Sequence, residues 1–415
     1  MLSAWLSLLA ACSEPTADRT LHLWAMGREG EAVQTLMAAF EHRHPGVRVQ
    51  VQQIPWSAAH EKLLTAYAGQ VLPDIVQLGN TWIAEFAALD ALLPLDDWRA
   101  EAGDAFPGIL ASSQVEGRLL AMPWYVDTRL LFYRKDLLAQ AGVAAPPTSW
   151  AGWRAAMVRL RAVLGEDRHA LLLPVNEWQP LVILALQAGS GLLRDGARYG
   201  DFEAEAFRRA FRYYLDLFRD SFAPAIAETR VSNLYQGFAR GQFAFYVSGP
   251  WHIDEFRRRL PAALRARWDT APMPGPDGPG LSLAGGASLA LCRSSPHPEA
   301  AKALIRYLTE PEQQLALHRL TGDLPASRSA WRRPELSQAP HTEAFRRQLE
   351  QVRPTPTIPE WERIADRTAH YAEKAVRGEL GEDEALAALN RDVDRILAKR
   401  RWLLERAQAS PGAGR

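Results

Sequence analysis

The stretch LHLWAMGREGEAVQTLMAAFEHRHPGVRVQVQ, residues 21–52, decides the fold. Its first six residues, Leu21 to Met26, form a short apolar run. At its other end Val47, Val49 and Val51 alternate with Arg48, Gln50 and Gln52, so both ends read as strands. Between them Val33, Leu36, Met37 and Phe40 recur at i, i+3, i+4 and i+7, which sets four apolar side chains on one helix face. Strand, helix, strand is a βαβ unit, whose crossover is right-handed and whose strands run parallel. The loop from Ala25 to Gly30 therefore lies at the carboxyl end of the first strand, where open α/β sheets bind ligands.

Downstream the alternation continues. Ser57 is placed to cap a helix through Leu63, Leu64 and Tyr67 that Gly69 stops, and Asp74 to Leu78 reads as the next strand. After Pro123 the pattern restarts, with a strand at Leu130 to Tyr133 and helices near Asp136 to Ala141 and Ser149 to Leu164. Phe207, Phe211, Leu215 and Phe218 mark the core face of a long helix, and Phe243 to Val247 another strand. Pro272 to Gly280 is a loop, Gly285-Gly286 open an apolar run through Cys292, and Pro298 starts a helix carrying Ala301, Leu304, Ile305 and Leu308. Pro354 to Pro359 is extended and precedes two helices that end near Arg406. No internal repeat is visible, which excludes solenoids and propellers.

With 47% hydrophobic and 23% charged residues, the 415-residue chain can bury a large core, divided over two domains. The 48 Lys and Arg balance the 48 Asp and Glu, so no surplus charge argues for nucleic acid or an anionic membrane as partner. Trp is over-represented at 14, and such rings either fill the core or face a ligand. Residues 1–11 are apolar or small and end in Leu9-Ala10-Ala11-Cys12, followed by Ser13-Glu14-Pro15-Thr16. That is too short to cross a bilayer and reads as a signal segment over 1–12. Small residues before a Cys resemble the bacterial lipobox, which makes Cys12 the expected lipidation site and leaves Cys292 without a disulfide partner. No Lys or Arg precedes the apolar stretch, so the true start codon stays open.

Catalytic and cofactor motifs are not found. His60-Glu61 is followed by Leu64 where a zinc-protease helix needs a second His. No glycine-rich phosphate cradle follows the first strand, no Gly-x-Ser-x-Gly elbow is present, and Cys292 lies inside a predicted strand, so no nucleophile is offered. No cofactor and no metal are expected. What remains is a set of loops joining aromatics to hydrogen-bonding side chains: Trp24 to Glu29, Asn80-Thr81-Trp82, Trp124 to Asp127, Glu177-Trp178, Gly249-Pro250-Trp251 and Glu360-Trp361. A sugar has apolar C–H faces and a rim of hydroxyls, and flat rings beside carboxylates, amides and guanidinium groups complement both.

At these residues the chain resembles the bacterial extracellular solute-binding proteins of family 1, the sugar-binding lipoproteins of ABC importers. The similarity runs over the mature chain: Phe40-Glu41 with Pro45-Gly46-Val47, Pro73-Asp74-Ile75, Leu93-Pro94-Leu95-Asp96, Pro123-Trp124-Tyr125-Val126-Asp127, Tyr133-Arg134-Lys135-Asp136-Leu137, Ser248-Gly249-Pro250-Trp251, Gly285-Gly286 and Pro356-Thr357-Ile358-Pro359. Their order and spacing carry it, and within the family the trehalose/maltose-binding proteins look closest. The resemblance implies an α/β, two-lobe periplasmic-binding-protein fold with mostly parallel sheets, hinge strands and an interlobe cleft. The first lobe would hold 20–127 plus about 288–330, the second 128–287 plus about 331–407, and 408–415 would be a disordered tail.

Residue by residue, the resemblance makes Glu29 an acceptor for sugar hydroxyls, Tyr125 and Asp127 a platform and an acceptor, Trp251 a second platform, and Gly286 a point of close backbone approach. Asn80, Thr81, Trp82, Arg129, Trp178, Arg328 and Trp361 complete the candidate set. Two positions depart from the family pattern: Ala287 stands where an aromatic is common, and Gly79-Asn80 where an acid precedes Trp82. The reading is a non-enzymatic, monomeric receptor, periplasmic or at the cell surface, held to the membrane only by lipid at Cys12. It closes on an α-linked disaccharide and presents it to ABC permease subunits. Two alternatives stay open: a glycoside hydrolase using Glu29 and Asp127, and a receptor for another polar solute such as a glycerophosphodiester or an oligosaccharide.

Overall fold

A computed structural model describes residues 19–227 and 233–409. The signal segment and Cys12 lie outside the described residues. β1 (Arg19–Met26) is followed by two short helices, α1 (Gly27–Ala32) and α2 (Gln34–Arg43), hinged at Val33. Met37 and Phe40 turn inward, as the apolar spacing predicts. β2 (Val47–Ile54) then pairs with β1 in parallel along its whole length. α3 (Trp56–Ala68) needs no Ser57 cap: Pro55, at φ −60° and ψ 135°, sets the chain direction and leaves Ser57 inside the first turn. β3 (Ile75–Gly79) joins β1 in parallel and ends, like β1, at the edge facing the second lobe.

The chain leaves this sheet through β4 (Met122–Asp127) and enters the second lobe as β5 (Leu130–Arg134). There α4 (Trp150–Leu164), β6 (His169–Leu172), α5 (Glu205–Arg219), β7 (Phe243–Ser248), α6 (Trp251–Arg259) and β8 (Trp268–Ala271) build a sheet in the order β8-β5-β7-β6. It returns as β9 (Gly285–Leu291), runs through α7 (Pro298–Thr309) and α8 (Pro311–Thr321), and adds β10 (Leu324–Pro325), so the first sheet reads β10-β4-β9-β3-β1-β2. After Pro325 the chain passes back, and α9 (Trp361–Val376), α10 (Glu382–Ile396) and α11 (Ala398–Ala409) cover the second lobe.

The two-lobe α/β architecture agrees with expectation, but the sheets are mixed rather than mostly parallel. β9 pairs antiparallel with both β3 and β4, β10 with β4, and β5 with both β7 and β8. The reason is the connection between lobes. β3, β4 and β7 run toward the cleft and end there, whereas β5 and β9 enter from it and must run the opposite way beside them. Two residues assigned to the tail, 408 and 409, are helical instead. Residues 398–409, AKRRWLLERAQA, are strong helix formers without Gly or Pro, and α11 holds them through Ala409; 410–415 lie outside the described residues.

Each sheet is packed on both faces. Leu21, Leu23, Phe40, Leu304 and Leu308 cover one side of the first, and Ile54, Leu63, Val76 and Phe86 the other. Trp153, Leu160, Phe207, Phe211 and Phe245 fill one side of the second, with Phe132, Phe256, Trp268 and Phe345 opposite. Each fully buried ring or branched chain contributes about 1.5–3 kcal/mol against exposure, so the lobes are stiff bodies joined by extended strands. No helix among the described residues is long and apolar enough to cross a membrane.

Candidate binding cleft

The carboxyl ends of β1, β3 and β4 place the first group of side chains. Glu29, in the first turn of α1, is 6% exposed. Its approach depends on Gly27, which has φ +52° and where a Cβ would fall 2.8 Å from the Trp56 ring and 2.9 Å from Glu29 Oε2. Tyr125 and Trp56 turn their hydroxyl and indole N–H to the Glu29 carboxyl, and Asp323, from the turn after α8, meets it from a third side. Gln77 orients this group: its Oε1 accepts from the Met26 amide at 2.8 Å and its Nε2 donates to the Tyr125 hydroxyl at 3.2 Å.

Two residues beyond Tyr125 on β4, Asp127 faces Arg129 at 3.4 Å, and the Arg129 guanidinium lies 4.5 Å from the centre of the Trp251 ring. Trp251 opens α6, and its ring folds back over Gly249, where a Cβ would meet it at 1.9 Å. The Asp127 side chain keeps 27% of its surface accessible. Burial pushes the Glu29, Asp127 and Asp323 carboxyls above the usual range, Asp323 most of all because the Glu29 charge adds to it. Arg129 opposes the shift at Asp127. Its Nε is buried with no partner among the described residues, as is Asn80 Nδ2.

A second group joins the lobes beside the first. Thr81 and Trp82, just past β3, lie within hydrogen-bonding reach of the Glu362 carboxyl in the first turn of α9. Trp82 packs on Trp56 at 5.6 Å and on His60 at 5.1 Å, and His60 Nε2 meets Glu85 at 2.6 Å, which raises the His60 pKa. Arg28 adds a contact to Glu255 of α6 at 3.8 Å. Polar groups of both lobes therefore converge on one cleft.

The family model of the bacterial extracellular solute-binding proteins matches residues 25–315. The chain belongs to this family. Among solved structures it is similar to the sugar-binding protein MalE from Xanthomonas citri, with 46% identity, a TM-score of 0.89, and coverage of 93% of this chain and 99% of that one. It is also similar to the GacH receptor of Streptomyces glaucescens, solved unliganded and with acarbose, at 26% identity, TM-score 0.81, and 92% and 99% coverage. The diacetylchitobiose binding protein DasA of Streptomyces coelicolor is 25% identical over 83% of this chain and 81% of its own.

In this solute-binding protein the expected residues separate into three sets. Glu29, Tyr125, Asp127, Arg129 and Trp251 come together, and Asn80, Thr81 and Trp82 lie beside them. Gly286 adjoins the cleft, but its glycine is needed within the sheet: φ is +113°, a Cβ would sit 2.3 Å from the Tyr125 carbonyl oxygen, and its own carbonyl accepts the Asn80 amide at 3.1 Å. Trp178 and Trp361 pack edge to face at 5.6 Å, and Trp361 is 1% exposed in the second-lobe core, so its faces are covered. Arg328 is exposed on the outer surface, paired with Glu350 at 3.4 Å.

Three cleft residues escape the sequence reading. Trp56 follows β2 as Glu29 follows β1, so the strand-end rule finds it once β2 is placed. Glu362 adjoins Trp361 on α9, and the 100° step of the helix turns the indole inward while the carboxyl faces the first lobe. Asp323 carries no local signal; only the return of the chain through β9 and α8 brings it to Glu29.

Proposed function

We propose that the chain is the extracytoplasmic receptor of an ABC sugar importer. It binds an α-glucosidic disaccharide of the trehalose/maltose type between its lobes and delivers it, unaltered, to the permease. The observation that carries this reading is the arrangement of Trp251 with Glu29, Asp127, Arg129 and the hydroxyl of the buried Tyr125: an indole beside charged hydrogen-bonding groups, contributed by both lobes. Burying a pyranose face on one ring removes roughly 80 Å² of apolar surface, about 2 kcal/mol. Bonds to charged groups add about 1.5–3 kcal/mol each, and after binding entropy a net of about −8 kcal/mol, micromolar affinity, is within reach. The sugar-binding and acarbose-binding proteins to which the chain is similar support the carbohydrate class.

Closure follows from contacts on both lobes, since a ligand shifts the equilibrium only by its differential affinity for the closed state. The receptor acts as a monomer, outside the cytoplasmic membrane, tethered by lipid on Cys12. Thermal-shift measurements against a panel of disaccharides, oligosaccharides and glycerophosphodiesters test the assignment. Trehalose or maltose is expected to raise the melting temperature in a concentration-dependent way, because ligand that binds only the native state stabilises it. A shift with phosphodiesters alone, or release of glucose from the disaccharide, contradicts it.

A further inference from the structure

Two buried carboxyl groups meet in the cleft. Glu29 reaches it from α1 and Asp323 from the turn after α8; both are less than a tenth exposed, and the two groups lie within reach of a hydrogen bond to each other. Two ionised carboxylates cannot make that bond, because each offers only acceptors; one of them must hold a proton and donate it. Tyr125 and Trp56 are the other donors beside Glu29, and next to Asp323 stands the Thr321 hydroxyl, which donates to the Leu317 carbonyl at 3.0 Å and accepts the Asp323 amide at 3.1 Å.

The surrounding elements supply no cation to either carboxyl among the described residues. Arg28, next to Glu29 on α1, turns outward to the Leu320 carbonyl and Glu255. Arg129 pairs with Asp127, whose negative charge bears on Tyr125 and Asp323. Glu31 of α1 meets Gln53 of β2 instead. On α8, His318 contacts the Asp323 main-chain carbonyl through Nδ1 at 2.9 Å and is held toward its neutral form by burial, with Asp254 and Arg257 of α6 beyond it.

We infer that Asp323 is a ligand-facing residue which shares one proton with Glu29 in the free protein, and that a neutral sugar placing hydroxyl donors on both carboxylates sends that proton to solvent. The inference rests on the sugar-receptor reading and gives it a specificity rule. The bond broken is the carboxylic O–H; the proton passes to water or buffer, and the sugar keeps all its hydroxyl hydrogens, contributing only hydrogen bonds. An anionic ligand would meet three carboxyl groups with one guanidinium between them, so the cleft selects uncharged, donor-rich solutes over sugar phosphates and uronic acids. The free form binds more protons than the sugar-bound form, so association strengthens as pH rises. The gain is up to about tenfold per pH unit for one proton, levelling off once the free pair is fully ionised.

Calorimetric titration with trehalose and maltose at neutral pH, in phosphate and in Tris, reads the proton directly because the two buffers differ in ionisation enthalpy. The heats are expected to differ by the equivalent of about one released proton. Asp323→Asn, which keeps the shape and offers Glu29 an amide N–H, is expected to remove the buffer dependence. Equal heats for the wild-type protein in the two buffers overturn the inference and leave the sugar reading standing. If neither disaccharide binds, the sugar reading fails, and infrared spectra of the free protein still decide the shared proton. The wild-type protein is expected to show the carbonyl stretch of a neutral carboxylic acid at neutral pH, weakened in Asp323→Asn; a wild-type spectrum without that band overturns the inference.

Discussion

Trp251 packs its ring against the Gly249 backbone, lies 4.5 Å from the Arg129 guanidinium, and keeps part of its surface accessible. Truncation at this position removes a platform without opening a core cavity. Trp251→Ala is therefore expected to weaken disaccharide binding at least tenfold, about 1.4 kcal/mol, with the unfolding midpoint nearly unchanged; calorimetry beside urea denaturation reads both. Its neighbour His252 answers a different question. Burial and the Arg129 charge lower its pKa from 6.5 to about 3, and it is bonded to Ser248 Oγ at 2.8 Å. Between those two values the unfolded chain takes up a proton that the folded chain refuses, so stability falls as pH drops through that window, by at most about 1.4 kcal/mol per unit. His252→Phe is expected to flatten this acid limb, measured as urea midpoint against pH; an unchanged slope contradicts the buried neutral state. On the proposed reading adjacent residues serve ligand and fold separately, a division that the sequence Pro250-Trp251-His252 does not reveal.

At the level of elements, the strands and long helices were legible because periodicity reports local burial. The Val47–Val51 alternation, the Phe207–Phe218 stripe and the helix that follows Ser149 all occur where the patterns put them. Strand direction was not legible, since it depends on which lobe a strand comes from. β9 fixes it: inserted between β3 and β4, it runs against both and brings Gly286 under the Tyr125 carbonyl. Gly286→Ala combines left-handed strain with a backbone clash, and is expected to cost at least about 2 kcal/mol of stability by denaturant titration. A loss of sugar affinity at full stability would instead assign the glycine to the ligand. In the cleft, residues at strand ends could be read from the chain, whereas Asp323 and Glu362 come from segments that return late; Trp361 went inward because aromatic composition alone does not tell a platform from a core ring, while Trp178 stays half-buried at its edge.

For the molecule as a whole, two rigid lobes joined by extended strands can change their separation with little internal cost. Apart from the apolar cluster at the hinge that joins Phe106, Ile109, Val126 and Leu324 to second-lobe side chains, the contacts across the gap, Glu362 with Thr81 and Trp82 and Arg28 with Glu255, are polar. Such surfaces let a small ligand decide the balance between open and closed forms. The central claim is that one uncharged disaccharide lies between Tyr125 and Trp251, bonded to Glu29 and Asp127, and leaves unchanged. A crystal structure of the protein grown with trehalose or maltose tests this most directly. The account predicts an intact sugar with a ring face on the Trp251 indole and hydroxyls on both carboxylates; a sugar bound elsewhere, or a Trp251 ring turned into the second-lobe core, would contradict it.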